Sequence, residues 1–257
     1  MRPTARRGPL VLASLAALAA GSTTARAVDE IQVYNAEINR PRQFSLQLHA
    51  NYIARGLTEP EFDGGLVPDG SWNGTPEFAY GLTDWWEVGA YLPYAVEQGP
   101  DFWWGGAKLR TLFVSPGAAT RRFFYGLNLE LSWATDKFSP DAWGSEVRPI
   151  VGWRSRRVEF ILNPIMDVPL SGDDRAAVFA PATRLAWIAS PVWAFGLEHY
   201  ADFGPLRDFL PRDEQQQELY AVADRSSRSF DVDFGVGHGF TPASNDWTVK
   251  FILSWAF

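Results

Sequence analysis

The chain has 257 residues, a formal charge of −7, no cysteine, twelve tryptophans and 15 % aromatic residues. The acid excess argues against nucleic acid as a partner, the lack of cysteine excludes a disulfide framework or a thiolate metal site, and the aromatic content is too high for a disordered chain. No low-complexity tract or long charge block divides the sequence, which therefore reads as one folded unit.

Arg2, Arg6 and Arg7 precede the apolar run Leu10 to Ala20, and Ala25-Arg26-Ala27 supplies an A-x-A site. That layout predicts a secretory signal peptide over residues 1–27 and a mature chain beginning at Val28. Removing those 27 residues leaves 230, and losing four arginines and no acid takes the charge from −7 to −11. No later stretch supplies the roughly eighteen consecutive apolar residues of a spanning helix. A mature chain that crosses a membrane must then do so as a closed barrel, the other structure that satisfies every backbone polar group in lipid.

Residues 28–41 are mixed in character, and Pro41 stops any strand there; they read as a periplasmic lead-in resting in the barrel mouth. From residue 42 to 257 the sequence alternates with period two, the mark of β-structure. Strand 1 is expected at about Arg42 to Ala54, with Phe44, Leu46, Leu48 and Tyr52 on one face and Gln47, His49 and Asn51 on the other. After a Gly- and Pro-bearing loop, Arg55 to Ser71, the stretch Thr75 to Tyr94 reads as a hairpin turning at Thr83-Asp84, with Glu77 and Glu87 on its polar parity.

Strands 4 and 5 follow at about Trp103 to Val114 and Phe123 to Ala134, with Lys108, Arg110 and Glu130 on the polar parity. Strands 6 and 7, about Trp143 to Arg154 and Val158 to Val168, carry Glu146, Arg148, Arg154, Glu159 and Asp167. Strand 8 (about Ala177 to Ala189) has Arg184, and strand 9 (about Trp193 to Phe203) has Glu198 and Asp202. A charged loop, Gly204 to Gln217, leads to a weakly patterned strand 10 near Glu218 to Arg225, and strand 11 (about Phe230 to His238) holds Asp231 and Asp233. The last strand, Asn245 to Phe257, sets Trp247, Val249, Phe251, Leu253, Trp255 and Phe257 against Lys250 and its neighbours, and resembles the closing strand of an outer-membrane barrel.

Twelve strands is an even number, and the connections alternate between long and mostly short. Both features fit a closed antiparallel transmembrane β-barrel with short periplasmic turns and longer extracellular loops. The polar parity collects ten acids and six bases. An Arg or Lys facing lipid at mid-depth costs about 2 to 4 kcal/mol, so the charged parity is assigned to the lumen. Opposite charges on neighbouring strands favour pairing, which predicts Lys108 and Arg110 beside Glu130, Arg148 beside Glu159, and Asp231 and Asp233 beside Lys250. Outward aromatics near strand ends, among them Tyr52, Trp86, Trp133, Trp143, Trp153, Trp187, Trp193, Trp247 and Trp255, suit two headgroup-level girdles. A soluble β-sandwich gives the same alternation with those rows packed inward.

The stretches DEIQVYNAEI (Asp29 to Ile38), LHANY (Leu48 to Tyr52), EFAYGLTDWWEVGAYLPY (Glu77 to Tyr94) and EHYADFGPL (Glu198 to Leu206) resemble a family of bacterial outer-membrane β-barrel proteins assigned to the MetA pathway of phenol degradation, together with its uncharacterised members. The resemblance implies an outer-membrane location and uptake of small, aromatic solutes. It carries over no functional residue.

Three readings of function follow. The first is a narrow channel or transporter, whose lumen charge of −4 from the residues named favours cations or neutral solutes over anions. The second is a non-conducting barrel whose lumen is filled by paired charges and whose loops, chiefly Arg55 to Ser71 and Gly204 to Gln217, carry a structural or surface role. The third is an outer-membrane hydrolase, which needs a nucleophile with a base in hydrogen-bond reach. The chain has three histidines, His49, His199 and His238, and no G-x-S-x-G motif, so it is not read as an enzyme and no catalytic residue is assigned. No cofactor is called for, and the scattered carboxylates lack the spacing of a calcium loop. The expected partners are outer-membrane lipid, a small-molecule solute, and the barrel-assembly machinery through the strand ending at Phe257.

Overall fold

A computed structural model describes residues 30–99, 101–172 and 175–257; the expected signal peptide lies outside the described residues. These residues form one antiparallel sheet that closes on itself, because the first strand pairs with both the second and the last. Sixteen strand segments build twelve staves. They are β1 (Phe44–Arg55), β2 (Trp72–Gly81), β3 (Trp86–Tyr91), β4 (Tyr94–Val96), β5 (Phe102–Trp104), β6 (Gly106–Val114), β7 (Phe123–Ala134) and β8 (Trp143–Arg154). The second half continues with β9 (Val158–Asn163), β10 (Met166–Pro169), β11 (Val178–Phe179), β12 (Ala182–Ile188), β13 (Trp193–Asp202), β14 (Gln216–Arg225), β15 (Asp231–Gly239) and β16 (Trp247–Ala256).

Four staves expected to run unbroken are each split in two, β3/β4, β5/β6, β9/β10 and β11/β12. The breaks fall at Pro93, Gly105, Pro164 and Pro181. Proline has no N–H to give the ladder, and Gly106 adopts a φ of 113° that other residues avoid. The breaks face each other in pairs: the Gly105 amide donates to the Pro93 carbonyl at 2.8 Å, and the Ala180 amide to the Ile165 carbonyl at 3.0 Å. Each gap in the ladder is thus stitched by its neighbour. The second stave also begins earlier than the Thr75 start its alternation suggests, because Trp72 stacks on Tyr52 with ring centroids 4.6 Å apart.

The two faces separate cleanly. Leu109 is 61 % exposed and its neighbour Arg110 is 6 % exposed. Tryptophan marks both ends of the outer surface. Trp72, Trp104, Trp133, Trp143 and Trp247 stand toward the end that carries the long loops. Trp85, Trp86, Trp153, Trp187, Trp193 and Trp255 stand toward the end that carries the short turns and the C-terminus. Trp133 and Trp143 are direct register partners on β7 and β8. Amphipathic rings in two bands with an apolar belt between them match the two interfaces of a bilayer.

The loops are tied to one another across the loop end. The Val67 amide donates to Glu97 at 2.8 Å, Gln98 to Asp69 at 2.9 Å, Gln216 to Glu61 at 2.9 Å, and Lys137 to the Gly65 carbonyl at 3.3 Å.

Candidate functional site in the barrel lumen

The lumen is occupied by residues 30–41, which do not stop at the mouth. The segment leaves the barrel wall at the turn end, where the Arg42 amide donates to the Gly81 carbonyl at 2.8 Å. A Cβ on Gly81 would stand 2.3 Å from the Arg40 carbonyl oxygen, so glycine is needed for this close approach. From there the chain climbs inward. The Asn39 amide donates to Glu87 at 2.6 Å, Arg154 donates to the Asn35 carbonyl at 3.3 Å, Arg148 to the Gln32 carbonyl at 3.3 Å, and Lys250 to the Ile31 carbonyl at 3.3 Å. Ala36 and Arg42, with φ of 59° and 68°, are the non-glycine positive-φ residues among those described, and both lie at this entry. Such strained backbone persists where its surroundings over-determine it.

An apolar seat receives the segment. Leu112, Phe124, Ile150 and Ile161 sit at inward parity on β6, β7, β8 and β9 and pack with Val33, Tyr34 and Ala36, while Ile31 packs with Tyr220 and Val222. Fully burying an Ile or Phe side chain is worth about 1.5 to 3 kcal/mol, enough in sum to hold a dozen residues of irregular chain. This sector departs from a charged-throughout lumen. Alternation shows which side a residue faces, and only the segment folded inside explains why apolar side chains face inward there. Phe124 is accommodated by Gly152, its register partner, where a Cβ would lie 2.0 Å from the ring.

Charged side chains occupy the rest of the lumen in two networks. In the first, Arg110 donates to Glu77 at 2.6 and 2.9 Å and to Glu87 at 2.6 Å, while His49 Nε2 lies 3.2 Å from Glu77 Oε2. Arg148 donates to Glu146 at 2.6 and 3.0 Å and stands 3.9 Å from Glu30. Asn128 donates to Glu130 at 2.7 Å, and Lys108 lies nearby on the same inner face. The Tyr34 ring lies against the Arg148 guanidinium, 4.2 Å from centroid to carbon, and its hydroxyl donates to Glu30 at 2.7 Å while accepting from Tyr91. Burial first and Glu30 second push the Tyr34 phenol well above its usual pKa, so it stays a neutral donor.

In the second network Lys250, fully buried, donates to Glu198 at 2.5 Å and faces Asp233 at 3.3 Å. Arg184 pairs with Glu198 and Asp224. Near the turn end Arg154 pairs with Glu159 at 2.8 Å. Asp231 is exposed at that rim, and Asp167 and Asp202 are half-buried toward the loop end.

Of the expected neighbours, Arg110 and Glu130 do stand side by side, and Arg148 with Glu159 and Asp231 with Lys250 are corrected. Arg110 and Glu130 are register partners, yet the guanidinium turns the other way, to Glu77 and Glu87. Arg148 stands opposite Asn128 near mid-stave, whereas Glu159 stands opposite Arg154 near the turn, so Arg148 takes Glu146 on its own strand. Asp233 does meet Lys250, while Asp231 registers with Ser254, four residues further toward the rim. The interior acids Glu30, Glu218 and Asp224 have no place among the residues read from the sequence. Glu218 and Asp224 share their parity with Tyr220 and Val222, which disguises the inner face of β14.

Among the described residues, cavities flank the inserted segment at both ends of the lumen. One of about 550 Å³ opens at the turn end and is lined by Glu37, Glu87, Glu159, Asp224, Asp231 and Asp233 together with Arg154, Arg184 and Arg225. The other, about 150 Å³, lies at the loop end beside Lys108, Glu130, Glu146, Asp167 and Asp202. The three histidines bond to a carboxylate, to the Gln217 carboxamide at 2.9 Å (His199) and to the Asp246 carbonyl at 2.7 Å (His238).

A closed twelve-stave antiparallel barrel with a polar, partly filled lumen and two tryptophan bands is the fold of outer-membrane channels and porins. Solved structures that it resembles include proteins of that kind. The COG4313 outer membrane channel from Pseudomonas putida F1 matches with a TM-score of 0.63 at 12 % identity, over 89 % of this chain and 100 % of that one. The KdgM porin matches with a TM-score of 0.54 at 7 % identity, over 83 % and 99 % of the two chains, and the NanC porin with 0.54 at 10 % identity, over 82 % and 98 %. No family model and no curated protein matches the sequence.

Proposed function

We propose that the protein is an outer-membrane channel for small neutral or cationic solutes, exported by its N-terminal signal peptide, with residues 30–41 as the element that narrows the path. The observation that carries this reading is a cavity toward each end of the lumen, with the inserted segment packed in the same lumen through the contact of Tyr34 with Tyr91 and Arg148. Solute crosses when that contact shifts. The KdgM porin has been solved in complex with disordered oligogalacturonate, a polyanion. The acid excess around both cavities here supports the opposite charge preference. The resemblance to phenol-degradation barrels supports small aromatic compounds as the solute class. Lipid on the outer face, and the barrel-assembly machinery reading the strand that ends at Phe257, complete the set of partners.

Planar-bilayer recording is the test. The full chain should give small unitary currents, and a variant lacking residues 30–38 should give currents several-fold larger. A second reading, a non-conducting structural barrel, is favoured by the apolar seat that packs the segment in place. Silence from both the full chain and the deletion variant would establish it and remove the channel.

A further inference from the structure

The first lumen network holds more negative than positive charge on side chains that are nearly all buried. Glu30, Glu77, Glu87 and Glu146 face two guanidiniums, Arg110 and Arg148, and all six side chains are about nine-tenths buried or more. Glu130 and Lys108 of the same network add one charge of each sign, so the formal balance is five carboxylates against three cations, or −2. Uncompensated charge at such depth is costly and draws in protons or a cation. His49 stands at the centre of this imbalance. Its Nε2 faces Glu77 at 3.2 Å, and its Nδ1 is buried with no hydrogen-bond partner. Among the described residues the hydrogen bonding of the ring thus rests on Nε2, the atom that a cation shared with Glu77 would take.

We propose that Glu30, His49 and Glu77 bind a divalent transition-metal ion, zinc by their chemistry, which ties the N-terminal segment to the barrel wall. One ligand atom from each residue lies within 4.8 Å of the others. Zinc holds nitrogen and carboxylate oxygen at about 2.0 to 2.2 Å, which puts tetrahedral ligand atoms roughly 3.4 Å apart. His49 and Glu77 already stand at 3.2 Å, and rotation of the Glu30 side chain supplies the remaining closure. The imidazole decides the metal class, since calcium and magnesium prefer all-oxygen shells. A charge of +2 cancels the −2 of the network. Glu30 belongs to the inserted segment, whereas His49 and Glu77 belong to β1 and β2, paired staves of the wall. The ion thus bridges the two.

The existence of the site is independent of conduction; its effect on current rests on the channel reading. The experiment is calorimetric titration of the chelator-treated mature protein in detergent with zinc chloride, repeated with Glu30→Gln and His49→Gln. One zinc per chain is expected, with each substitution weakening binding at least tenfold. Glu30→Gln alters no wall residue, and an unchanged heat-modifiable gel shift shows that its barrel is intact. No zinc binding by the wild type, or equal affinity in both variants, overturns the site. In bilayers zinc should lower the wild-type current and leave Glu30→Gln unaffected. A protein that conducts but takes no zinc loses the metal site alone, and one that takes zinc but never conducts loses the channel reading alone.

Discussion

The carboxamide of Asn163 clamps the backbone of Tyr34 at two points: the Tyr34 amide donates to Oδ1 at 2.7 Å, and Nδ2 donates to the Tyr34 carbonyl at 3.1 Å. A side chain thereby plays the part of a neighbouring strand for a segment that has none. Asn163 is the last residue of β9, next to the break at Pro164, so its carboxamide is aimed at the lumen axis. Asn163→Ala leaves the buried Tyr34 amide and carbonyl without partners, at about 1 to 3 kcal/mol for each unsatisfied group. The inserted segment should loosen while the wall stays closed. Larger or noisier unitary currents with an unchanged gel shift are expected; currents identical to wild type would show that the apolar seat alone holds the segment.

Lys250 tests the second network. Its ammonium meets Glu198 and Asp233 and also caps the Ile31 carbonyl. Lys250→Met removes the cation and leaves two buried acids, which by the usual penalty for breaking a buried pair costs about 3 to 5 kcal/mol. Glu198→Gln in the same chain removes one of those acids and should restore part of the loss. Thermal unfolding in detergent measures both, and a double variant less stable than Lys250→Met alone would refute the account.

The turn-end cavity predicts ion preference. Its eight acids, Glu37, Glu77, Glu87, Glu159, Glu198, Asp224, Asp231 and Asp233, outnumber the four arginines Arg110, Arg154, Arg184 and Arg225. Glu37 and Asp231 are exposed at the rim, where Asp231 accepts from the Ser227 amide at 3.0 Å, so an unchanged heat-modifiable gel shift is the control for reversing their sign. In a potassium chloride gradient the wild type should be cation-selective, and Glu37→Arg with Asp231→Arg should move the reversal potential toward anions. The shift should shrink in concentrated salt, because the screening length falls to about 3 Å at 1 M.

The staves were legible from alternation because period two, charge on one parity and aromatics at the ends all give the same answer, and β7 and β8 match the expected spans residue for residue. The breaks were present as Pro93, Pro164 and Pro181, but strong alternation on either side masked them. Pairing partners were less legible. Arg110 and Glu130 are in register, and only the rotamer sends the guanidinium to Glu77. Least legible was the inserted segment. Residues 30–41 have no period, and their place is set by contacts more than a hundred residues away, such as Tyr34 with Asn163 and Ile31 with Lys250. A histidine and two glutamates spread over residues 30, 49 and 77 form no local motif, so the cluster exists only once the segment is folded inside.

Leu109 and Arg110 put the membrane assignment itself to the test. They are adjacent near the middle of β6, with register partners Leu131 and Glu130 on one side and Ala90 and Gly89 on the other. Leu109→Ala should cost little, because lipid fills the space that the side chain leaves. Leu109→Arg places a charge in the apolar belt and should cost about 2 to 4 kcal/mol, lowering insertion into vesicles. Exchanging the pair, Leu109→Arg with Arg110→Leu, adds the loss of the only cation hydrogen-bonded to both Glu77 and Glu87 among the described residues, and no folded barrel is expected. In a water-soluble sandwich the order reverses, since Leu109 would be core, and Leu109→Ala would then be the severe change. Unfolding of the two single variants in detergent, side by side, separates these outcomes.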